Sequence, residues 1–389
     1  MKALMLESEW VPKVGYNTSV KEEESHETSS ASMVWKNPRL KLIEKDIPKI
    51  KEDEVLIKVG ACGVCGSDVH MAESSEDGYM IFPGHTKFPC VIGHEFAGEI
   101  VEIGGKVYGL EEGDIVAPEG MNWCGVCDSC RRGLFNQCQN LQEIGFTIDG
   151  AFAEYVAVKG KYCYKVNSFR NIFKDTKDIC IAGAAIEPAA VSYNAIFSQA
   201  GGFSPGSIVA VFGAGPIGLT AIALAKIGGA SKVIAIELNE FRLNKAKEFG
   251  ADFILNPVEL QKEKLNLVEY LSDITGGCGI NMAVEATGVP HKIMGTIVKS
   301  MAFGSKIVQI GLTSELTEIS LIKLQMKGIH LHGGIGHAGY GNFQNVINLI
   351  ATKKFEILKL ISSKYNIDNA IDAINQAHSL NQTKIMVLP

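Results

Sequence analysis

From Gly206 onward the chain alternates short apolar runs with segments of helical period, and few folds accommodate that alternation. "SIVAVFGAG" leads into "PIGLTAIALAKIGG", and "KVIAIEL" into "NEFRLNKAKEFG", which Gly250 closes at a C-terminal cap position. "DFILN" then precedes a charged helix through "VELQKEKLNLVEYLSDI", and "INMAVEATG", "PHKIMGTIVKSM", "SKIVQIGL" and "GIHLHGG" complete the series. Six apolar strands with crossover helices predict a doubly wound parallel sheet of the Rossmann kind. The tail from His337 reads as a helix, "NFQNVINLIATKK", and a closing strand, "TKIMVLP".

Straight after the first of these strands, Gly213, Gly215 and Gly218 form G-x-G-x-x-G, with Pro216 and Ile217 opening a helix. Such a motif alone is weak. Here a strand precedes it, a helix follows it, and an acid, Glu237, closes the next strand. Gly213 is expected to make the tight turn and Gly215 to let backbone N–H groups approach a pyrophosphate. Gly218 lets helix and strand pack closely. The helix N-terminus adds partial positive charge toward the phosphates. Glu237 would accept hydrogen bonds from the adenosine ribose diol and repel a 2′-phosphate, which favours NAD over NADP. Arg242, close by in sequence, works against that preference.

The first third has a different texture. "EVLIKVGACG", "FAGEIVEIG", "GDIVAPEG" and "GAFAEYVAV" are alternating runs closed by Gly or Asp, which predicts an irregular β-rich domain. Within it, "NTSVKEEESHETSSAS" (17–32) is polar and charged and reads as an exposed arm. "WCGVCDSCRRGLFNQC" places Cys124, Cys127, Cys130 and Cys138 at the spacing C-x2-C-x2-C-x7-C. Cysteines three apart bridge poorly in a relaxed backbone, whereas four thiolates on one lobe suit a closed tetrahedral zinc site. Cys62 and Cys65 also form a C-x-x-C pair, but no thioredoxin-like strand and helix pattern surrounds them.

At 389 residues two domains are expected. A formal net charge of −6 argues against nucleic acid or an anionic membrane surface as partner. The opening "MKALMLESEWVPKVGY" has no apolar run of the signal type, and no window reads as a membrane span. With ten cysteines placed as ligands or core residues, a cytoplasmic protein is expected.

Five stretches in this order carry a resemblance: "CGVCGSDVH" (62–70), "GHEFAGEIVEIG" (93–104), the cysteine lobe (124–138), "IEPAAVSYNAI" (186–196) and "VFGAGPIG" (211–218). The chain resembles, over essentially its whole length, the zinc-dependent medium-chain dehydrogenase/reductase family of alcohol, sorbitol and threonine dehydrogenases. The resemblance implies an α/β protein with a GroES-like β-rich catalytic domain (1–196, including the zinc lobe 123–139). A Rossmann domain (197–335) would interrupt it, and a C-terminal segment (336–389) would return to it. It implies a catalytic zinc among Cys65, His94, Glu95 and Glu187, with Asp68 orienting His94, and a structural zinc on the four-cysteine lobe.

Glu187 stands where alcohol dehydrogenases carry cysteine and polyol dehydrogenases glutamate, a harder and more hydrated metal site. A structural role, capping a helix, is its alternative. The expected reaction is reversible oxidation of a secondary alcohol to a ketone with NAD, aided by zinc. Ser67 is the first proton acceptor and His70 the next relay member; a purely structural His70 is the alternative.

Three insertions, 17–32, "MAESSEDGYMIFPGHTKFPC" and "SFRNIFKDTKDIC", depart from the family pattern. With "GFTIDGAFAEYV" and "GHAGYGNF" they look closest to inositol-pathway enzymes of the scyllo-inosose dehydrogenase kind, so a polyol or cyclitol substrate is expected. His85 and His337 are read as loop residues within possible reach of it. A dimer or tetramer through the Rossmann sheet edge near "SKIVQIGL" and "GIHLHGG" is implied.

Overall fold

The six apolar runs of the second half form one parallel sheet. Its order is Phe253–Leu255, Lys232–Ile236, Ile208–Phe212, Ile280–Glu285, Met301–Gln309 and His330–Gly333. The structure is a computed structural model that describes residues 1–379 and 381–389. The chain starts this sheet at Ile208–Phe212, winds outward to one edge, then returns to the middle and winds to the other. Strand order therefore reverses between Ile208–Phe212 and Ile280–Glu285, and the crevice at their carboxyl ends is where such sheets bind ligands. Phe212, Ile234, Ile280, Ile297 and Ile307 fill the core on one side. The helix Pro216–Ile227 begins at Gly215 with Pro216 in its first turn, where a missing N–H costs nothing.

The charged segment expected as one helix is two, Pro257–Lys262 and Leu267–Ile274. Lys264 adopts a left-handed φ of 61°, and Asn266 caps the second helix by accepting from Val268 N at 2.9 Å. Periodicity alone missed that break because both halves share one amphipathic texture.

The chain divides into two compact units, Met1–Glu187 with Glu356–Pro389, and Pro188–Phe355. The boundaries read from sequence, 196/197 and 335/336, both fall inside the second unit. The helix Asn342–Ala351 belongs there because Asn342 Nδ2 donates to Asn194 Oδ1 and to the His337 carbonyl, at 3.1 and 3.0 Å. No composition change marks those contacts.

The first unit is built on a seven-stranded sheet. Its central strand Glu54–Gly63 pairs antiparallel with Glu95–Ile103 on one side. The closing strand Lys384–Leu388 and the strand Tyr155–Lys159 also pair with it. Lys384–Leu388 in turn runs parallel to Ile361–Asn366. Val55, Ile57, Phe96, Ile100 and Val387 are buried beneath this sheet. The register sets Gly63 opposite Glu95 and Met386 opposite Gly63, which brings the last strand beside the Glu95 end of its neighbour.

The polar segment 17–32, read as an exposed loop or arm, is largely solvent-facing, but it is ordered. Ser19 and Glu22 form a reciprocal capping box on the helix Val20–Ser25, and Glu27–Thr28 pairs with Thr86–Lys87. Thr28, Ala31 and Val34 are buried. His85 clamps the segment: its Nε2 lies 3.1 Å from Glu27 Oε1 and its Nδ1 3.2 Å from Glu143 Oε2. Burial opposes the imidazolium, but the two carboxylates outweigh it and raise its pKa above the ordinary value. A raised folded pKa stabilises fully below the unfolded pKa, about 6.5, and the contribution is lost as pH rises through the folded value. His85→Gln is therefore expected to destabilise most near pH 6, with the difference from wild type shrinking at alkaline pH. Denaturant midpoints across pH test this; a pH-independent difference would contradict it.

One continuous helical stretch, Thr176–Gln199, is long and apolar enough by composition to cross a membrane, contrary to the sequence reading. Its most apolar window is 89% buried inside the protein, which is how a core helix uses such a composition.

Candidate metal centres and dinucleotide loop

Cys65 ends an extended segment and begins the helix Gly66–Ala72, while His94 and Glu95 open the strand Glu95–Ile103. These elements bring the Cys65 sulfur, a His94 ring nitrogen and a Glu95 carboxylate oxygen within 4.8 Å of one another. His94 and Glu95 are buried and Cys65 half-buried. A thiolate, an imidazole and a carboxylate so placed fit a zinc ion that keeps an open position. The Asp68 carboxylate divides its two oxygens. Oδ2 accepts from Cys65 N at 2.9 Å, and Oδ1 lies 3.6 Å from His94 Nδ1. Burial disfavours the His94 imidazolium, but Asp68 and then Cys65 hold its pKa well above the ordinary value. On the other side of the ring, Ser67 Oγ lies 3.4 Å from Nε2. Phe146 packs on the same ring, centroids 4.6 Å apart, and Phe82 stacks behind Phe146.

Glu95 has a partner that sequence reading missed. Lys384 Nζ, from the closing strand, lies 2.7 and 2.6 Å from its two carboxylate oxygens and 2.9 Å from the Val64 carbonyl. Both side chains are about 1% exposed. Burial opposes the ammonium, but Glu95, with contributions from Cys65 and Glu187, holds the Lys384 pKa above its ordinary value. Gly63 makes room for this pair, since a Cβ there would come 2.3 Å from Glu95 Oε2. Glu187, buried in the first turn of the helix Ile186–Tyr193, lies outside the three-residue cluster but close enough to act electrostatically on Glu95.

Ser67 and His70 stand three apart on the helix Gly66–Ala72 and so share a face, Ser67 beside His94 and His70 exposed. Cys62, the other half of the C-x-x-C pair, is fully buried in the strand Glu54–Gly63. His85 is taken up by its clamp on Glu27 and Glu143. His337 is buried in the second unit, its ring 5.1 Å from that of Phe343.

The four lobe cysteines converge, their sulfurs all within 4.8 Å of one another, and all four are free thiols. Backbone N–H groups already point at them: Cys124 Sγ accepts from Val126 and Cys127, Cys138 Sγ from Cys124 and Asn140. The Val126 and Cys127 N–H groups bring the Cys124 thiol down to about 6, whereas burial pushes Cys130 up to about 12. A pre-formed set of four sulfurs with donors arranged for thiolates fits a closed structural zinc site. Trp123 anchors the lobe against Phe135 and Tyr162, with Lys161 Nζ 4.6 Å above its ring.

In the second unit Gly213 takes a φ of 94°, which a side chain would resist, and a Cβ on Gly218 would lie 1.9 Å from the Gly213 carbonyl. Gly215 faces open space, as an approach to phosphate requires. Glu237 closes its strand and its Oε2 accepts from Ala214 N at 2.8 Å, tying it to the glycine loop. Its Oε1 accepts from Leu238 N and Asn239 N. Arg242 is half-buried; burial lowers its pKa and the nearby Glu237 opposes that.

Residues 51–168 match the alcohol dehydrogenase GroES-like domain family, and residues 216–352 the zinc-binding dehydrogenase family. The chain is 38% identical to scyllo-inosose 3-dehydrogenase of Thermotoga maritima, over 97% of this chain and 96% of that protein. It is 35% identical to L-threonine 3-dehydrogenase of Pyrococcus furiosus, over 83% of this chain and 87% of that one. A solved structure described as an alcohol dehydrogenase from Thermotoga maritima superposes with a TM-score of 0.94, at 36% identity, covering 100% of both chains.

Proposed function

This chain belongs to the zinc-binding alcohol dehydrogenase family, and from that premise we propose that it interconverts a secondary hydroxyl of a cyclitol and the corresponding ketone, with NAD as hydride carrier. The observation that carries the reaction type is the Cys65–His94–Glu95 cluster in the same chain as the Gly213–Gly218 loop. The cyclitol is supported by the full-length similarity to scyllo-inosose 3-dehydrogenase.

Cys65 and His94 would hold the catalytic zinc, with Glu95 or Glu187 supplying a carboxylate, and the four lobe cysteines would hold a structural one. When bound, zinc supplies Lewis acidity toward a hydroxyl oxygen and the nicotinamide supplies the carbon that accepts or returns hydride. Asp68 fixes the orientation of the His94 ring, which leaves Nε2 on the Ser67 side. Ser67 Oγ accepts the hydroxyl proton as it gives up its own, and His70, on the same helix face and exposed, takes up that released proton and passes it to solvent. Lys384, itself buried, keeps both oxygens of the Glu95 carboxylate occupied.

The test is nicotinamide reduction by zinc-loaded protein across inositols, inososes (in the reverse direction), linear polyols, threonine and simple secondary alcohols. A preference for one cyclitol pair supports the proposal; a preference for threonine or a linear alcohol keeps the reaction class and discards the cyclitol.

NAD is proposed over NADP because Glu237 closes the second strand of the cofactor half. Glu237→Ser is expected to lower the ratio of NAD to NADP efficiency by about tenfold or more, since removing a repelled charge and a ribose acceptor acts on the ratio directly. Its bond to Ala214 N means that absolute affinity falls for both cofactors, so the ratio is the informative measurement; an unchanged ratio would contradict the role.

Leu331, on the edge strand His330–Gly333, and Leu321, Ile322 and Met326 on the helix Leu321–Lys327 are exposed. We extend the proposal to a homodimer or homotetramer through this edge, which would bury them. A monomeric mass by sedimentation would contradict it.

A further inference from the structure

Glu285 has no part in the steps above, yet it is fully buried at the carboxyl end of the strand Ile280–Glu285, beside the reversal of strand order. A buried carboxylate is costly unless its oxygens are satisfied, and here the donors are the groups that shape two neighbouring turns. Oε1 accepts from Thr287 N at 2.7 Å and from Thr287 Oγ1. Oε2 accepts from Gln309 Nε2 at 2.5 Å, and that same nitrogen donates to the Gly311 carbonyl at 2.8 Å. The Glu285 carbonyl accepts from Ile310 N and Gly311 N at 2.9 and 3.1 Å. Packing is tight enough that a Cβ on Gly311 would lie 2.5 Å from both Glu285 Oε2 and Gly288 N. One carboxylate thus joins the turn after Ile280–Glu285 to the turn after Met301–Gln309.

The sheet order says what those turns face. The phosphate loop lies at the end of Ile208–Phe212, and Glu237, on the adenosine side, lies toward Lys232–Ile236. A dinucleotide crossing the crevice at the reversal point then lays its other half over the ends of Ile280–Glu285 and Met301–Gln309. We propose that Glu285 is a positioning residue for the nicotinamide half of the cofactor: it holds the 285–288 and 309–311 backbone in the shape that receives the ring. The inference rests on the reading that this chain binds a nicotinamide dinucleotide.

The test compares NADH with ADP-ribose, which keeps the adenosine, pyrophosphate and second ribose but lacks nicotinamide. Calorimetric titration of wild type, Glu285→Gln and Glu285→Ala is run with both ligands. NADH affinity is expected to fall by about tenfold or more in Glu285→Ala, while ADP-ribose stays within about twofold. Glu285→Gln, which keeps the size and one acceptor, is expected to show the same selective loss to a smaller degree, and it carries the comparison should the alanine variant not fold. Equal losses for both ligands would mark Glu285 as merely structural and overturn the role; so would unchanged NADH binding. A wild-type protein that bound neither ligand would overturn the cofactor reading and this role with it, whereas intact wild-type binding with equal losses in the variants overturns this role alone.

Discussion

Cys65→Ser is expected to reduce turnover by about a thousandfold or more while leaving cofactor binding intact. Metal-ion charge stabilisation amounts to several kcal/mol, and about 1.4 kcal/mol corresponds to each tenfold in rate. Serine has nearly the shape of cysteine but is not a thiolate, so the substitution changes the donor set and little else. Cys65 N would still donate to Asp68 Oδ2, keeping the first turn of the helix Gly66–Ala72 in place. The Gly213–Gly218 loop belongs to the other compact unit, so NADH binding is expected to persist, and a circular-dichroism melt of the variant separates loss of metal chemistry from loss of fold in the first unit. Near-native activity in this variant would show that Cys65 does not hold the catalytic metal.

The second large effect is expected at Lys384. Replacing it by methionine keeps most of the volume and removes the ammonium, which leaves the Glu95 carboxylate buried with its partner gone. Breaking a buried ion pair from one side costs about 3–5 kcal/mol, most of it the penalty of the stranded charge. Lys384→Met should therefore lower the denaturant midpoint markedly, and adding Glu95→Gln should recover much of the loss because the stranded charge is gone. Additive losses in the double variant would contradict the pairing. The single variant should also alter metal affinity at Cys65 and His94, since Glu95 would be released toward them.

These two residues mark the limit of what the amino-acid sequence discloses. Cys65, His94 and the four lobe cysteines sit in short stretches whose spacing is itself the chemical signal, and the glycine loop is read the same way. Lys384 has no such signature. It lies 289 residues from Glu95, in an ordinary closing strand, and only the pairing of that strand with Glu54–Gly63 brings the two together. Glu285 is similar, since its meaning depends on Gln309 reaching it from the next strand in the sheet.

The segment 17–32 is largely exposed, as read, but its order was missed for another reason. Its composition is that of a solvated arm, but a capping box, a two-residue strand pairing and the His85 clamp order it, and none of these needs many apolar residues. The parallel sheet was legible because both its faces are covered, which makes its strands continuous apolar runs. The return to the first unit at Glu356 was not, because the helix Asn342–Ala351 buries an apolar face of the ordinary kind and its bonds to Asn194 and Ser198 join residues far apart in the chain.

The central claim is that the reaction depends on zinc held at Cys65 and His94. The most direct measurement is nicotinamide reduction, with the best alcohol of the panel, by protein stripped of metal with a chelator and then reloaded with zinc, alongside NADH titration of each form. Activity that disappears on stripping and returns with zinc, while NADH binding persists throughout, is the predicted result. Full activity in stripped protein shown by elemental analysis to be free of metal would contradict it.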